Sequence, residues 1–331
     1  MDANEILKRY RAGETQFKGA NLRNVNLKGA DLIGIDLTSA DLNSANLVMA
    51  YLSRGKLYGA NLFSAKLSGA NLERADLRNA NLSDADLHGA TLQGANLSKA
   101  NMALANLLDA NLIGADLRGV NISGACLRGA CLRGANMREE KRAYKPANLR
   151  GADLRGADLR GVNLSGADLS RADLQGANLT ETNLRGANME RAKMSYAVLK
   201  GCFLTEANLT GVSFLEAVMV GARMERVLLA EADLSGANMR GVLLPDAKLD
   251  RAVLTGADLT NANLNRADLT RAIMRNVNFT NAQLIQTHFT KTDLTGANLR
   301  LANLSEAELS TANLLDVNLS GATMPDGEVQ P

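Results

Sequence analysis

The run Ala147-Asn148-Leu149-Arg150-Gly151, Ala152-Asp153-Leu154-Arg155-Gly156, Ala157-Asp158-Leu159-Arg160-Gly161 is one five-residue unit in tandem, and nearly the whole chain is copies of it. A period of five fits neither the 3.6-residue face of a helix nor the two-residue alternation of a strand. It fits a chain that runs extended for three residues and then turns. In the extended piece the first and third side chains point one way and the second the other. The first is mostly Ala, the second mostly Asn or Asp, and the third mostly Leu. Ala and Leu therefore face inward, Asn or Asp faces outward, and the last two residues make a corner. Four corners close a coil of about 20 residues that stacks on itself at a spacing of ~4.8 Å.

Glycine tests this reading. Of the 29 Gly, 26 occupy the fifth position, and only Gly13, Gly55 and Gly327 do not. A type II turn needs positive φ there, which Gly supplies without steric penalty. Where Asn, Ser, Arg or Glu stands at the fifth position, the expectation is a different turn type.

The units match A(D/N)LXX in strict register, and residues 15–324 resemble the pentapeptide repeat family. The resemblance implies an all-β, right-handed quadrilateral parallel β-helix; the handedness comes from the family alone. The leader Ile6-Leu7-Lys8-Arg9-Tyr10-Arg11-Ala12-Gly13, ahead of Phe17, resembles the start of many cyanobacterial members.

In order, residues 1–14 are expected to form a capping helix over the first coil. Asp2 and Glu5 stand at capping-box spacing, and Ile6, Leu7 and Tyr10 form an apolar stripe. A membrane-surface helix is the alternative, disfavoured because the stripe is short. A first run, 15–137, has central residues from Phe17 to Met137, 25 units. A second, 149–324, runs from Leu149 to Met324, 36 units. At four units per coil this predicts one continuous solenoid of about 15 coils, a rod ~70 Å long. The step from Met137 to Leu149 exceeds two whole units by two residues. These two are read as a loop at 138–148, with Tyr144, one unit before Leu149, available to fill a core slot. Arg138, Lys141, Arg142, Tyr144 and Lys145 are its candidate contact residues. Together with Arg118, Arg128, Arg133, Arg150, Arg155 and Arg160 the cations form a basic belt, for which plain solvated surface is the competing reading. Pro325-Asp326-Gly327 opens a polar tail at 325–331. That end is open to an end-to-end homodimer.

Over 193–273 the outward position departs from Asn or Asp, and Val198, Phe203, Val218, Leu228, Leu243, Val253 and Ile273 stand there. With Tyr196, Leu215 and Val220 at corners, the first five form a candidate partner-binding patch, because a contiguous exposed apolar patch marks an interface. Drift of the repeat is the competing reading.

Chemistry is sparse. His88 and His288 stand ten coils apart, so no metal joins them, and no His/Cys cluster has zinc spacing. Cys126 and Cys131 read as small residues tolerated by the repeat, with a redox pair as the alternative. No phosphate loop is present, and a prism filled with Leu offers no cleft. The expectation is no catalytic site, no metal and no cofactor.

Net charge is +2, from Lys+Arg 37 and Asp+Glu 35. Some pentapeptide repeat proteins modulate DNA gyrase by imitating duplex DNA. That requires a surplus of negative charge, so this alternative is disfavoured and nucleic acid is not an expected partner. The leader's resemblance also implies a thylakoid- or photosynthesis-associated scaffold. No signal peptide or membrane span is read from the sequence, which predicts a cytoplasmic protein with peripheral membrane association as the variant. The leading expectation is a non-catalytic scaffold binding an unidentified protein through its faces.

Overall fold

A computed structural model describes residues 1–138 and 146–331. The chain forms two compact units, Met1–Asp168 and Leu169–Pro331. In both, the second residue of each five-residue unit makes a parallel bridge to its counterpart four units further on, for example Asn61↔Asn81 and Val198↔Val218. Four repeats therefore make one coil, and second positions one coil apart form a column. The peptide groups show why the register holds. Asn61 donates its N–H to the Ala40 carbonyl at 2.9 Å, and its own carbonyl accepts from Leu42 at 2.8 Å. Each turn closes on itself as well, with Ala60 donating to the Leu57 carbonyl at 3.0 Å.

The inward slots are filled as expected. The Leu and Ala positions are buried from Leu22 to Leu304, nearly all of them completely. Each buried Leu contributes roughly 1.5–3 kcal/mol before chain entropy. Gly55 occupies a small slot that elsewhere holds Ala. A Cβ there would lie 2.9 Å from the Leu52 carbonyl oxygen and 3.3 Å from Leu57 Cδ1. Where a polar residue takes the small slot, its side chain finds a carbonyl: Thr287 and Thr292 donate to Leu264 and Leu269 at 3.0 and 2.7 Å. The Cys202 thiol donates to the Leu179 carbonyl at 2.7 Å, and burial pushes its pKa up to about 12.

The turns correct the sequence reading. The fifth residue has positive φ whether or not it is Gly: 32 described non-glycine residues lie at φ 51–63°, Ser39, Arg74, Glu181 and Asn261 among them. The expected second turn type is absent from these positions. The stack imposes the conformation, because each fifth N–H must reach a carbonyl on the following coil, as Arg74 does to Gln93 at 2.9 Å. Left-handed backbone is adverse for β-branched residues, and Thr311 is the one such residue at a fifth position in the sequence. It is missing from the positive-φ set, and its hydroxyl accepts the Lys291 N–H at 2.9 Å.

The insertion is also larger than read. Asn121 bridges Asn148 and Asn136 bridges Asn163, each seven residues beyond the usual register, which resumes at Asn148↔Asp168. Seven residues, not two, are therefore inserted between the unit of Met137 and that of Leu149, and the register leaves no repeat unit between those two. Lys141, Arg142, Tyr144 and Lys145 lie outside the described residues; Arg138 is exposed.

Helix α1 spans Ala3–Arg11. Asp2 caps it by accepting the Glu5 N–H at 2.8 Å. Glu5 turns to Arg9, 3.5 Å away, and Arg9 also pairs with Glu14. Ile6 is fully buried, and the Tyr10 hydroxyl donates to the Ile33 carbonyl at 2.8 Å, which fixes the helix against the first coil. After the last unit the chain folds back. Val329 bridges Thr323 antiparallel and Gln330 donates to the Ala322 carbonyl at 2.9 Å. One of the edges an end-to-end dimer would use is thus taken within the chain.

Candidate protein-binding surface

The second position is more than a solvated face. Its Asn or Asp Oδ1 accepts the backbone N–H two residues on, the Asx turn that pins the corner. Ser83 to Asn81 at 3.3 Å, Arg118 to Asp116 at 3.2 Å and Thr260 to Asp258 at 3.0 Å are examples. In one column the amides also bond to each other. Asn61, Asn81, Asn101, Asn121 and Asn148 donate in turn to Asp41, Asn61, Asn81, Asn101 and Asn121 at 3.0, 3.2, 3.3, 2.9 and 3.0 Å.

Between residues 193 and 253 this device is largely given up. Of thirteen second positions only Asn208, Asp233 and Asn238 keep it, holding Thr210, Ser235 and Arg240. The other ten are Lys, Val, Phe, Ser, Arg or Leu. Five of the predicted patch residues come together. Val198 and Val218 stack in one column. Tyr196 and Leu215 occupy the turns leading into it, joined by Tyr196 N–H to the Leu215 carbonyl at 2.9 Å. Val220 occupies the turn after it, accepting from Gly201 at 3.1 Å. Tyr196 is 57% exposed, while Val198, Leu215 and Val218 are half-buried. Phe203 and Leu243 lie in the next column with Arg223 between them, and Leu228 lies in the column after that. The eight residues thus spread over three columns.

Beside the patch, Phe203 lines a pocket of about 370 Å³ with Asn183, Arg185, Thr205, Arg223 and Glu225. The Arg223 guanidinium carbon sits over the Phe203 ring, 5.5 Å from its centroid. The Thr205 hydroxyl donates to Glu225 at 2.5 Å. The neighbouring turn carries a charge ladder: Arg226 to Glu206 at 2.6 Å and Arg266 to Asp246 at 2.7 Å. The paired guanidinium holds each carboxyl below the usual carboxylate range. Sequence reading missed the pocket and the ladder, although residue type compared from coil to coil would have exposed both.

The basic belt is in good part internally neutralised. Arg118, Arg155 and Arg160 form bidentate pairs with Asp116, Asp153 and Asp158. Cys126 and Cys131 are free and half-buried in neighbouring columns. His288 Nδ1 lies 3.1 Å from Glu308. Among the described residues no group of three or more His, Cys, Asp or Glu could hold a metal ion, and no helix is long and apolar enough to cross a membrane.

Comparison with known proteins defines the class. The family described as Pentapeptide repeats (8 copies) matches residues 20–57, 56–94, 85–124, 100–138, 147–186, 172–211, 187–226, 207–246, 243–276, 278–314 and 288–326. The chain belongs to the pentapeptide repeat family. Among curated proteins nothing matches. Among solved structures it is similar to HetL, a pentapeptide repeat protein involved in heterocyst differentiation regulation in the cyanobacterium Nostoc sp. strain PCC 7120. That match is 27% identical over 100% of both chains, with a TM-score of 0.20. It is similar to Rfr23 from the cyanobacterium Cyanothece 51142, 28% identical over 40% of this chain and 92% of that one, TM-score 0.18. It is also similar to AT2G44920 from the Arabidopsis thaliana thylakoid lumen, 27% identical over 36% and 69%, TM-score 0.23. At such TM-scores none of the three carries an argument about this chain's role.

Proposed function

We propose that the chain is a non-catalytic scaffold that binds a protein partner through the apolar surface around Val198 and Val218. The right-handed, four-sided winding and the count of about 15 coils expected from the repeat belong to the same proposal. The observation that carries it is the loss of ten Asx bonds among thirteen consecutive repeats, with six apolar side chains in their place, Phe203, Leu228 and Leu243 exposed and Val198, Val218 and Val253 half-buried. A hydrogen bond of this kind is worth about 0.5–1.5 kcal/mol. Elsewhere the bond is missing at scattered positions such as Tyr51, Lys56, Lys66 and Thr91, but the block at 193–253 abandons it most densely and gives up local stability for surface chemistry.

DNA mimicry has less support. Met1–Asp168 carries Lys+Arg 22 against Asp+Glu 17, and Leu169–Pro331 carries 15 against 18. Neither has the dense negative charge that imitates phosphates.

The test replaces Val198 and Val218 together by Asn, the residue the repeat prefers. The double variant is expected to fold with unchanged or higher melting temperature and to lose proteins that cross-link to the wild-type chain in its native cell. An unchanged cross-linked set from a folded variant overturns the surface assignment.

A further inference from the structure

We infer that the pocket beside Phe203 receives a single carboxylate of the partner, presented by an extended segment whose flanking residues are apolar. This rests on the protein-binding reading above and names the chemistry of the partner.

Three observations carry it. First, the pocket holds two guanidinium groups, Arg185 and Arg223, and one carboxylate, Glu225. Among the described residues neither arginine forms an ion pair; Arg223 instead lies over the Phe203 ring, and Glu225 accepts from Thr205. This contrasts with the next turn, where Arg226 and Arg266 are committed to Glu206 and Asp246. Unpaired forks with their donors exposed suit a carboxylate, which they bind bidentately. Second, Phe203 is 41% exposed and held in place by the stacked guanidinium, which gives an aliphatic neighbour of the carboxylate an apolar wall. Third, Val220 leads from the Val198–Val218 column to the pocket, and the turn residues there are Gly201 and Gly221. No side chain at those two positions separates the apolar surface from the pocket; the exposed Lys200, one coil from Val220 in the same turn column, adds a cation beside the path by which one extended segment reaches both.

A continuous polyanion fits less well. Glu225 lines the pocket itself, and Glu206 and Asp246 stand in the adjoining turn column two coils apart, with Arg226 on the coil between them. A phosphate backbone running past Arg185 and Arg223 meets all three carboxylates, whereas one acidic side chain among apolar ones meets Glu225 alone, against two guanidinium groups.

The probes are a labelled peptide, Ala-Val-Leu-Glu-Leu-Val-Ala, its counterpart with Gln for Glu, and a 12-nucleotide single-stranded DNA, each titrated into the full chain by fluorescence anisotropy. The Glu peptide is expected to bind about tenfold more tightly than the Gln peptide, a difference of ~1.4 kcal/mol. Arg185→Gln with Arg223→Gln should erase that preference, bringing the Glu peptide's affinity down to that of the Gln peptide at unchanged melting temperature. Equal binding of both peptides by the wild type, no binding of either, or a preference that survives the double variant overturns the inference. DNA binding that the arginine variants abolish overturns it in favour of nucleic acid. If both peptides bind equally and both are lost in Val198→Asn with Val218→Asn, the docking surface stands and only the pocket assignment falls.

Discussion

Two windows of thirteen repeats show what this scaffold does with its outer positions. From 61 to 121, eleven second residues are Asn or Asp, and all eleven hold the N–H two residues on. From 193 to 253, three do. Inside, the windows are alike: Leu97 and Leu234 are both 0% exposed, and parallel bridges join successive coils in each. The difference teaches that core and outer face are independent. The inward Leu and Ala set the coil, so the outward position is free either to reinforce turns or to present a surface.

The sharpest way to break this comparison is at the amide ladder. Asn101→Ala removes the bond to Asn81, the bond from Asn121 and the acceptor of the Ala103 N–H. At roughly 1 kcal/mol each, a loss of about 3 kcal/mol is expected in urea unfolding. Val218→Ala, which removes no side-chain hydrogen bond, is expected to lose less than about 1 kcal/mol. Equal losses would mean the ladder is ornamental.

The turns, by contrast, should respond identically. Asn79 and Asn281 sit at φ 56° and 58° in the two units. Val at either forces a β-branched side chain into left-handed backbone, with an expected loss of about 1–3 kcal/mol. Gly at either should be near neutral, since it has no Cβ to strain. A Val variant tolerated in one unit only would show that the turn conformation is not common to both.

A smaller and opposite effect is expected where the Asx bond is restored. Val198→Asn alone should hold stability or raise it by up to ~1 kcal/mol, the regained hydrogen bond being offset by the lost Val198–Val218 pair. Calorimetry on the folded chain reads it.

The last difference is in pH response. Thr295 and Arg275 together hold the Asp293 carboxyl down to about 2 from the ordinary 3.8. A carboxyl lowered in the folded state contributes stability above its unfolded value and loses it as pH falls through the folded one. Melting temperature should therefore drop between about pH 3.8 and 2, and Asp293→Asn should flatten that part of the curve. Asp153 and Asp158, held low by Arg155 and Arg160, respond in the same direction.

The repeat made most of the fold legible. Alternation of Ala, Asn or Asp, and Leu assigns inside and outside without any neighbour, and the surface around Val198 shows itself as a local break in that alternation. Even the left-handed fifth residue left a trace, in the scarcity of β-branched residues there. Asp2 was legible as a helix cap because a cap is a contact between residues close in the chain.

What the tertiary structure decided is everything that depends on the coil above or below. A seven-residue insertion looks like two residues in a count of fives, because seven is one whole period plus two; only the bridges, such as Asn121 to Asn148, show where the register resumes. Arg74 and Glu181 adopt positive φ because a carbonyl on the following coil requires it. Phe203 meets Arg223, and Glu206 meets Arg226, across one coil. The sequence by itself determines the unit, since its alternation acts within one repeat. The stack decides the pairings, since their energies exist only once one coil lies on the next.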